Sequence, residues 1–144
     1  MATVIYNSFK KKIMDGSIDL DTDTIKASLH TSSYTPDQDA HDFFDDTTNE
    51  VSSSGSYTAG AAGGITLASK TVTQDNTDNE GVFDAADLSV TTFTGTFRYV
   101  VLRKDTGTAS TSPLIAAIDY GSDVSAVNGT VSIAWNSEGI LNIN

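Results

Sequence analysis

The sequence predicts a mainly β chain folded as a single antiparallel β-sandwich or jelly-roll-like domain, with a short N-terminal helix and a long loop or arm. Three observations predict it. Short runs rich in Thr, Val and Ile recur through the second half, clusters of turn-forming residues separate them, and only one stretch near the start has helical spacing of apolar residues. A chain of 144 residues has the usual size of one domain and shows no internal repeat, so residues 1–144 are read as one domain.

The helix is expected within residues 1–16. From Val4 to Met14 the apolar residues Tyr6, Phe9 and Ile13 fall at helical spacing with lysines between them, and Asp15-Gly16 supplies a stop. The period then changes. Ile25, Ala27 and Leu29 alternate with Thr24, Lys26 and Ser28, as in a half-buried strand. From Thr31 to Ala62 small and polar residues surround a few aromatics, and Pro36 argues against a central strand. This segment is expected to be the loop or arm. Its Phe43-Phe44 pair has two readings, as part of the domain's own core or as an anchor on a neighbouring subunit.

Residues 65–142 form the main strand-rich region, with strands expected at Ile65 to Val72, Gly81 to Asp84, Leu88 to Thr92, Gly95 to Arg103, Leu114 to Tyr120, Thr130 to Trp135 and Gly139 to Asn142. Asp105-Thr106-Gly107-Thr108, Ser112-Pro113, Asn128-Gly129 and Asn136 to Gly139 provide the punctuation. The expected core is one face each of the strands bearing Ile25, Leu29, Val72, Phe97, Tyr99, Val101, Ile115, Ile133 and Trp135.

Charge and composition narrow the function. Eight Lys and Arg against 19 Asp and Glu give a net charge of -11, which disfavours nucleic acid and anionic membranes as partners. The one cationic cluster, Lys10 to Lys12, reads as the wet face of the helix. No cysteine is present, so disulfides, thiolate nucleophiles and cysteine-based metal sites are excluded. No run is long and apolar enough for a membrane span, and no secretory signal is expected. A hydrophobic fraction of 38% is thin for a globular chain and favours assembly with partners.

Catalytic patterns fare poorly. Asp105-Thr106-Gly107 matches the aspartic-protease triplet, but Arg103 and Lys104 precede it and no second triplet pairs with it, so a turn is expected. Asp19, Asp21 and Asp23 stand at the spacing of the first half of a calcium loop, yet Thr24 occupies the position of the required glycine and His30 that of the bidentate glutamate. They are read as a solvated turn and a weak Ca²⁺ candidate. The acidic cluster from Asp37 to Asp46 holds only one imidazole, His41, and reads as a charged loop. Asn128-Gly129-Thr130 reads as a tight turn. No enzyme activity and no cofactor are expected.

Several words of the sequence carry a resemblance: Val4 to Lys10, Ile18 to Lys26, Thr31 to Asp37, Ala40 to Phe44, Lys104 to Gly107 with Ser112 to Ala116, and Ile133 to Asn136 followed by Gly139 to Leu141. Together they resemble small proteins encoded among the virion structural genes of tailed bacteriophages. The resemblance implies a non-catalytic structural protein decorating or cementing the outer surface of a capsid. It further implies contact with the major capsid protein or other virion subunits and a homo-oligomer, by analogy a trimer. The alternative is a head-fibre, tail or adhesin component that binds a host surface receptor. Under the first reading Tyr6, Phe9, Ile13, Phe43 and Phe44 are the expected capsid or subunit contacts, because they lie outside the cleanest strand patterns.

Overall fold

The computed structural model describes residues 2–144, which form a mainly β, sandwich-like fold of two antiparallel sheets and one short α-helix. In chain order the elements are β1 (Ala2–Ile5), α1 (Asn7–Met14), β2 (Ile25–His30), β3 (Ile65–Thr66), β4 (Thr71–Asp75), β5 (Glu80–Asp84), β6 (Leu88–Lys104), β7 (Leu114–Ile133) and β8 (Leu141–Ile143). The larger sheet has the order β1-β7-β6-β2-β3, and the smaller the order β4-β5-β8.

The helix starts later than its spacing suggested. Ala2–Ile5 ends in two β-branched residues and pairs antiparallel with β7, from Ala2 opposite Asp119 to Ile5 opposite Ala116. Tyr6 is still extended, at φ -68° and ψ 140°, so the first helical residue is Asn7. At the other end Asp15 donates its amide to the Lys11 carbonyl, and Gly16 turns the chain away at φ 76°.

Four of the expected strands merge into two. Leu88–Lys104 runs unbroken for 17 residues beside the 20-residue Leu114–Ile133, with register shifts between Val90 and Phe93 and between Phe93 and Gly95. Asn128-Gly129 is therefore a bulge within β7, not a chain reversal: Asn128 has φ 48°, and Gly129 stays paired with Phe93. The stretch Ile65 to Val72 does the opposite and splits. Ser69 at φ 52° breaks it, leaving β3 on the large sheet and β4 on the small one. The chain changes sheets there.

One continuous core draws on both sheets, the helix and the arm, from Tyr6 to Leu141. Ile25, Leu29, Phe97, Val101, Ile115 and Ile133 are fully buried as expected. Three core assignments are corrected. Val72 is 55% exposed because it lies on the edge strand of the small sheet, Tyr99 is half-buried, and Trp135 lies beyond the end of β7 and is also half-buried. The Trp135 indole N–H donates to the Ala86 carbonyl at 3.0 Å, so the ring caps the β5–β6 connection and does not fill the sheet interior.

The alternation in β2 marks one face only. Ile25, Ala27 and Leu29 are buried, but so are Ser28 and His30 on the opposite face. The segment Thr31 to Ala62 covers that second face, held by isolated bridges between His30 and Glu50 and between Phe43 and Pro113. It is a packed layer that gives a polar strand face a dry environment, rather than a free arm.

Candidate functional site

The small sheet presents a graded face to the helix. Antiparallel pairing sets Val72, Phe83 and Leu141 in one cross-strand row, and Gln74, Gly81 and Ile143 in the next row on the same face. In the first row Phe83 and Leu141 are buried, whereas Val72 at the edge is open. In the second row the central position has no side chain, because it is Gly81. A groove of about 390 Å³ remains between this face and α1, its walls completed by Phe9, Ile13 and Met14.

Its lining is almost wholly apolar, and its rim is exposed. Among the described residues four large hydrophobic side chains are exposed, and three of them, Met14 at 87%, Val72 at 55% and Ile143 at 59%, border this one groove. Scattered exposed hydrophobes are ordinary on any surface, but their convergence on a concave apolar face is the usual mark of an interaction site. Lys10 stands at the helical rim, whereas Asp75 and Glu80, one position out of step with Gln74 and Gly81, turn to the opposite face of the small sheet, where Glu80 accepts from Asn142.

The expected contact residues divide sharply. Tyr6, Phe9 and Phe44 are buried in the chain's own core. Phe43 is half-buried beneath Lys12, whose ammonium lies 4.6 Å from the ring centroid. Ile13 is half-buried, and with Phe9 it lines the groove. Of the Phe43-Phe44 pair, Phe44 thus belongs to the domain's own core.

Around Phe44 the covering segment builds a dense polar network. Arg103 donates to the carbonyls of Gly63 at 3.0 Å and Gly60 at 3.2 Å. Glu50 accepts from the Tyr57 hydroxyl at 2.6 Å and from the Gly60 amide at 3.0 Å, while Tyr57 accepts from the Leu29 amide. Burial pushes the Tyr57 phenol well above its ordinary range, and the carboxylate of Glu50 adds to the effect. The Tyr6 and Tyr34 hydroxyls are 2.8 Å apart, and Tyr34 reaches His41 Nδ1 at 3.1 Å. Apart from Arg103 Nε and Nη1, which are buried without a hydrogen-bond partner, these groups satisfy one another in the interior, which gives the network the character of structural support.

The acidic clusters are similarly occupied. Asp19 accepts from the amides of Asp21 and Thr22, and bonds from Thr22 hold its carboxyl below the usual range. Asp23 accepts from the Asp19 amide and pairs with Lys104 at 2.8 Å. Asp37 and Asp46 each accept two backbone amides of their own loop. Among the described residues no group of three or more His, Cys, Asp or Glu side chains is placed to hold a metal ion. Asp105 closes the loop between β6 and β7 and pairs with Lys26 at 2.9 Å.

Comparison with protein-family models, with curated proteins and with solved structures finds no match. The groove itself was only partly visible in the sequence. The sequence names Phe9 and Ile13 as contact candidates, places Val72 in the core, and gives Met14 and Ile143 no contact role. The available signal was Gly81, a glycine inside a strand segment, where close approach of another group is a recurrent reason for its presence.

Proposed function

We propose that this chain is a non-catalytic structural protein of a tailed-phage particle, seated on the outer surface of the capsid and attached through the groove between α1 and the small sheet. The observation that carries the reading is the convergence of Met14, Val72 and Ile143 on one apolar groove. A chain whose few exposed apolar residues are gathered in one place is suited to binding another surface. The sequence resemblance to small virion proteins supplies the particle as the setting.

Charge supports the outer face. With a net charge of -11 the protein would be repelled by packaged DNA, and on the exterior the same charge favours solubility. The major capsid protein is the partner proposed, and further copies of the chain would gather around a local symmetry axis.

The test is imaging of the whole particle together with binding of the purified protein to capsids lacking it. The expected result is density on the capsid exterior with the groove turned toward a capsid subunit, and loss of binding in Met14→Asp. Density inside the shell or at the tail tip, or undiminished binding by Met14→Asp, would overturn the assignment.

A further inference from the structure

Strand β7 runs well past its outer neighbour. β1 pairs with it at residues 116–119, and beyond Tyr120 the only strand beside it among the described residues is β6. Which backbone groups this leaves open follows from the far side of β6. The Thr91 amide donates to the Ser56 hydroxyl and its carbonyl accepts from the Ser56 amide, both away from β7. Val90 therefore turns its backbone groups toward β7 and bonds with its register partner Val131. By alternation Val131 and Ile133 face β6, whereas the amides and carbonyls of Thr130 and Ser132 point outward, where among the described residues nothing bonds to them.

Proteins blunt long open edges with charges or prolines, or cover them. Here the bulge at Asn128 interrupts the edge but leaves residues 129–133 regular, and neither a charge nor a proline occurs in residues 88–97 or 124–136. Val127, the one large exposed hydrophobe outside the groove among the described residues, lies on the same strand. The missing charge selects the occupant. Two copies of a chain of net charge -11 repel each other, and a neutral edge is where they approach against the least repulsion. A foreign strand would be chosen through pockets for its alternate side chains, whereas the exposed side chains here, Thr130 and Ser132, are short hydroxyls.

We infer that β7 pairs with β7 of a second copy, antiparallel across a two-fold axis at Val131, so that the two larger sheets join into one. That axis makes the edge complementary to itself. Thr130 of each copy lies opposite Ser132 of the other and their outward amides and carbonyls bond across the axis, while Val131 lies opposite Val131; hydroxyl and β-branched pairs of this kind stabilise sheets. The contact uses the same edge in both copies, so it closes at a dimer. None of its residues lines the groove, and the inference does not depend on the capsid reading.

The experiment follows the full chain from micromolar to millimolar concentration by sedimentation equilibrium and by amide hydrogen exchange. A monomer–dimer equilibrium is expected, with the Thr130 and Ser132 amides gaining protection as the dimer forms and the Val131 and Ile133 amides protected throughout. The Ser132 amide makes no bond to β6, so Ser132→Pro removes an edge donor and spares the ladder within the chain. Thr130→Lys adds the charge that the edge lacks. Each should weaken dimerisation by about tenfold or more while the monomer stays folded. Met14→Asp, at the groove, should leave the dimer intact.

A chain that stays monomeric up to millimolar concentration would overturn the inference, and so would a dimer whose Thr130 and Ser132 amides exchange as fast as the monomer's. A dimer lost in Met14→Asp but kept in Thr130→Lys would overturn it in favour of pairing groove to groove. Trimers or open-ended assemblies would show that the edge does not close on itself and would overturn it as well. If Ser132→Pro does not fold, Thr130→Lys carries the same expected outcomes.

Discussion

The guanidinium carbon of Arg103 lies 3.9 Å from the centroid of the Phe44 ring, and the arginine side chain is wholly buried. The ring comes from the segment between β2 and β3, and so do the carbonyls of Gly60 and Gly63 that accept from the same guanidinium. Asp105 is 4.0 Å away on the other side. A single buried cation thus gathers the middle and the far end of a long irregular segment and fastens them to β6.

Removing either partner should therefore loosen the whole covering layer. Arg103→Ala leaves carbonyls and Glu50 without their buried cation and should cost about 3 to 5 kcal/mol. Phe44→Ala should cost a similar amount, about 3 to 5 kcal/mol, through the cavity it leaves. Because the two groups touch, the double variant should lose less than the sum in urea unfolding. Strict additivity would mean that the stacked contact contributes nothing of its own.

His30 predicts a pH dependence. Burial holds this imidazole below its ordinary pKa, despite the opposing effects of the Thr48 carbonyl and Glu50. The unfolded chain therefore takes up a proton at a pH where the folded chain does not, so stability declines as pH falls below about 6.5. His30 Nδ1 donates to the Thr48 carbonyl at 2.8 Å, which leaves Nε2 to accept from Ser28; protonation removes that acceptor. The melting temperature should decline between neutral pH and about pH 5.5, and His30→Gln should flatten that part of the profile. An unchanged slope in the variant would assign the effect to other groups.

How much of this was legible in the sequence differs by element. The strand runs stood out because their β-branched residues and turn signals are local properties, and the alternation Ile25, Ala27, Leu29 located the buried face of β2 correctly. The continuity of β6 through Thr92 did not, because Thr92 sits at positive φ in a bulge between the paired Val90 and Phe93, and such a bulge leaves no compositional trace. The burial of Ser28, His30 and Arg103 was equally hidden. Polar residues predict a wet face unless another segment covers it, and the cover here is an aperiodic stretch whose aromatics do not announce their target. The groove depends on edge placement and sheet pairing, so Val72 read as core and Met14 drew no attention.

Trp135 offers a direct check on the corrected core. Its indole N–H bonds to the Ala86 carbonyl and its own amide donates to Asp87, while the ring remains half-exposed. Trp135→Phe, which keeps an aromatic ring and loses the indole donor, should cost about 0.5 to 1.5 kcal/mol. Acrylamide should quench the fluorescence of this single tryptophan in the folded protein. Protection from quenching would return Trp135 to the sheet interior.

The covering segment also protects the edge of β6. Beyond the reach of β2, the turn from Ser54 to Tyr57 stands in for a neighbouring strand: the Ser56 amide donates to the Thr91 carbonyl, and the amides of Thr91 and Thr94 donate to the hydroxyls of Ser56 and Ser54. An open edge here would be a template for unwanted strand pairing. Gly55 makes the approach possible. Its φ is 57°, and a Cβ at this position would lie 2.1 Å from the Thr91 carbonyl oxygen, so any larger residue has to push the turn off the strand. Gly55→Ala should destabilise by about 1 to 3 kcal/mol and speed hydrogen exchange at the Thr91 and Thr94 amides. Gly107→Ala is the control: Gly107 shares a positive φ of 81°, but nothing lies within 4 Å of its Cβ, so it should lose only the backbone term of about 1 kcal/mol and leave those amides protected. Equal exchange in the two variants would mean that the turn does not shield the edge of β6.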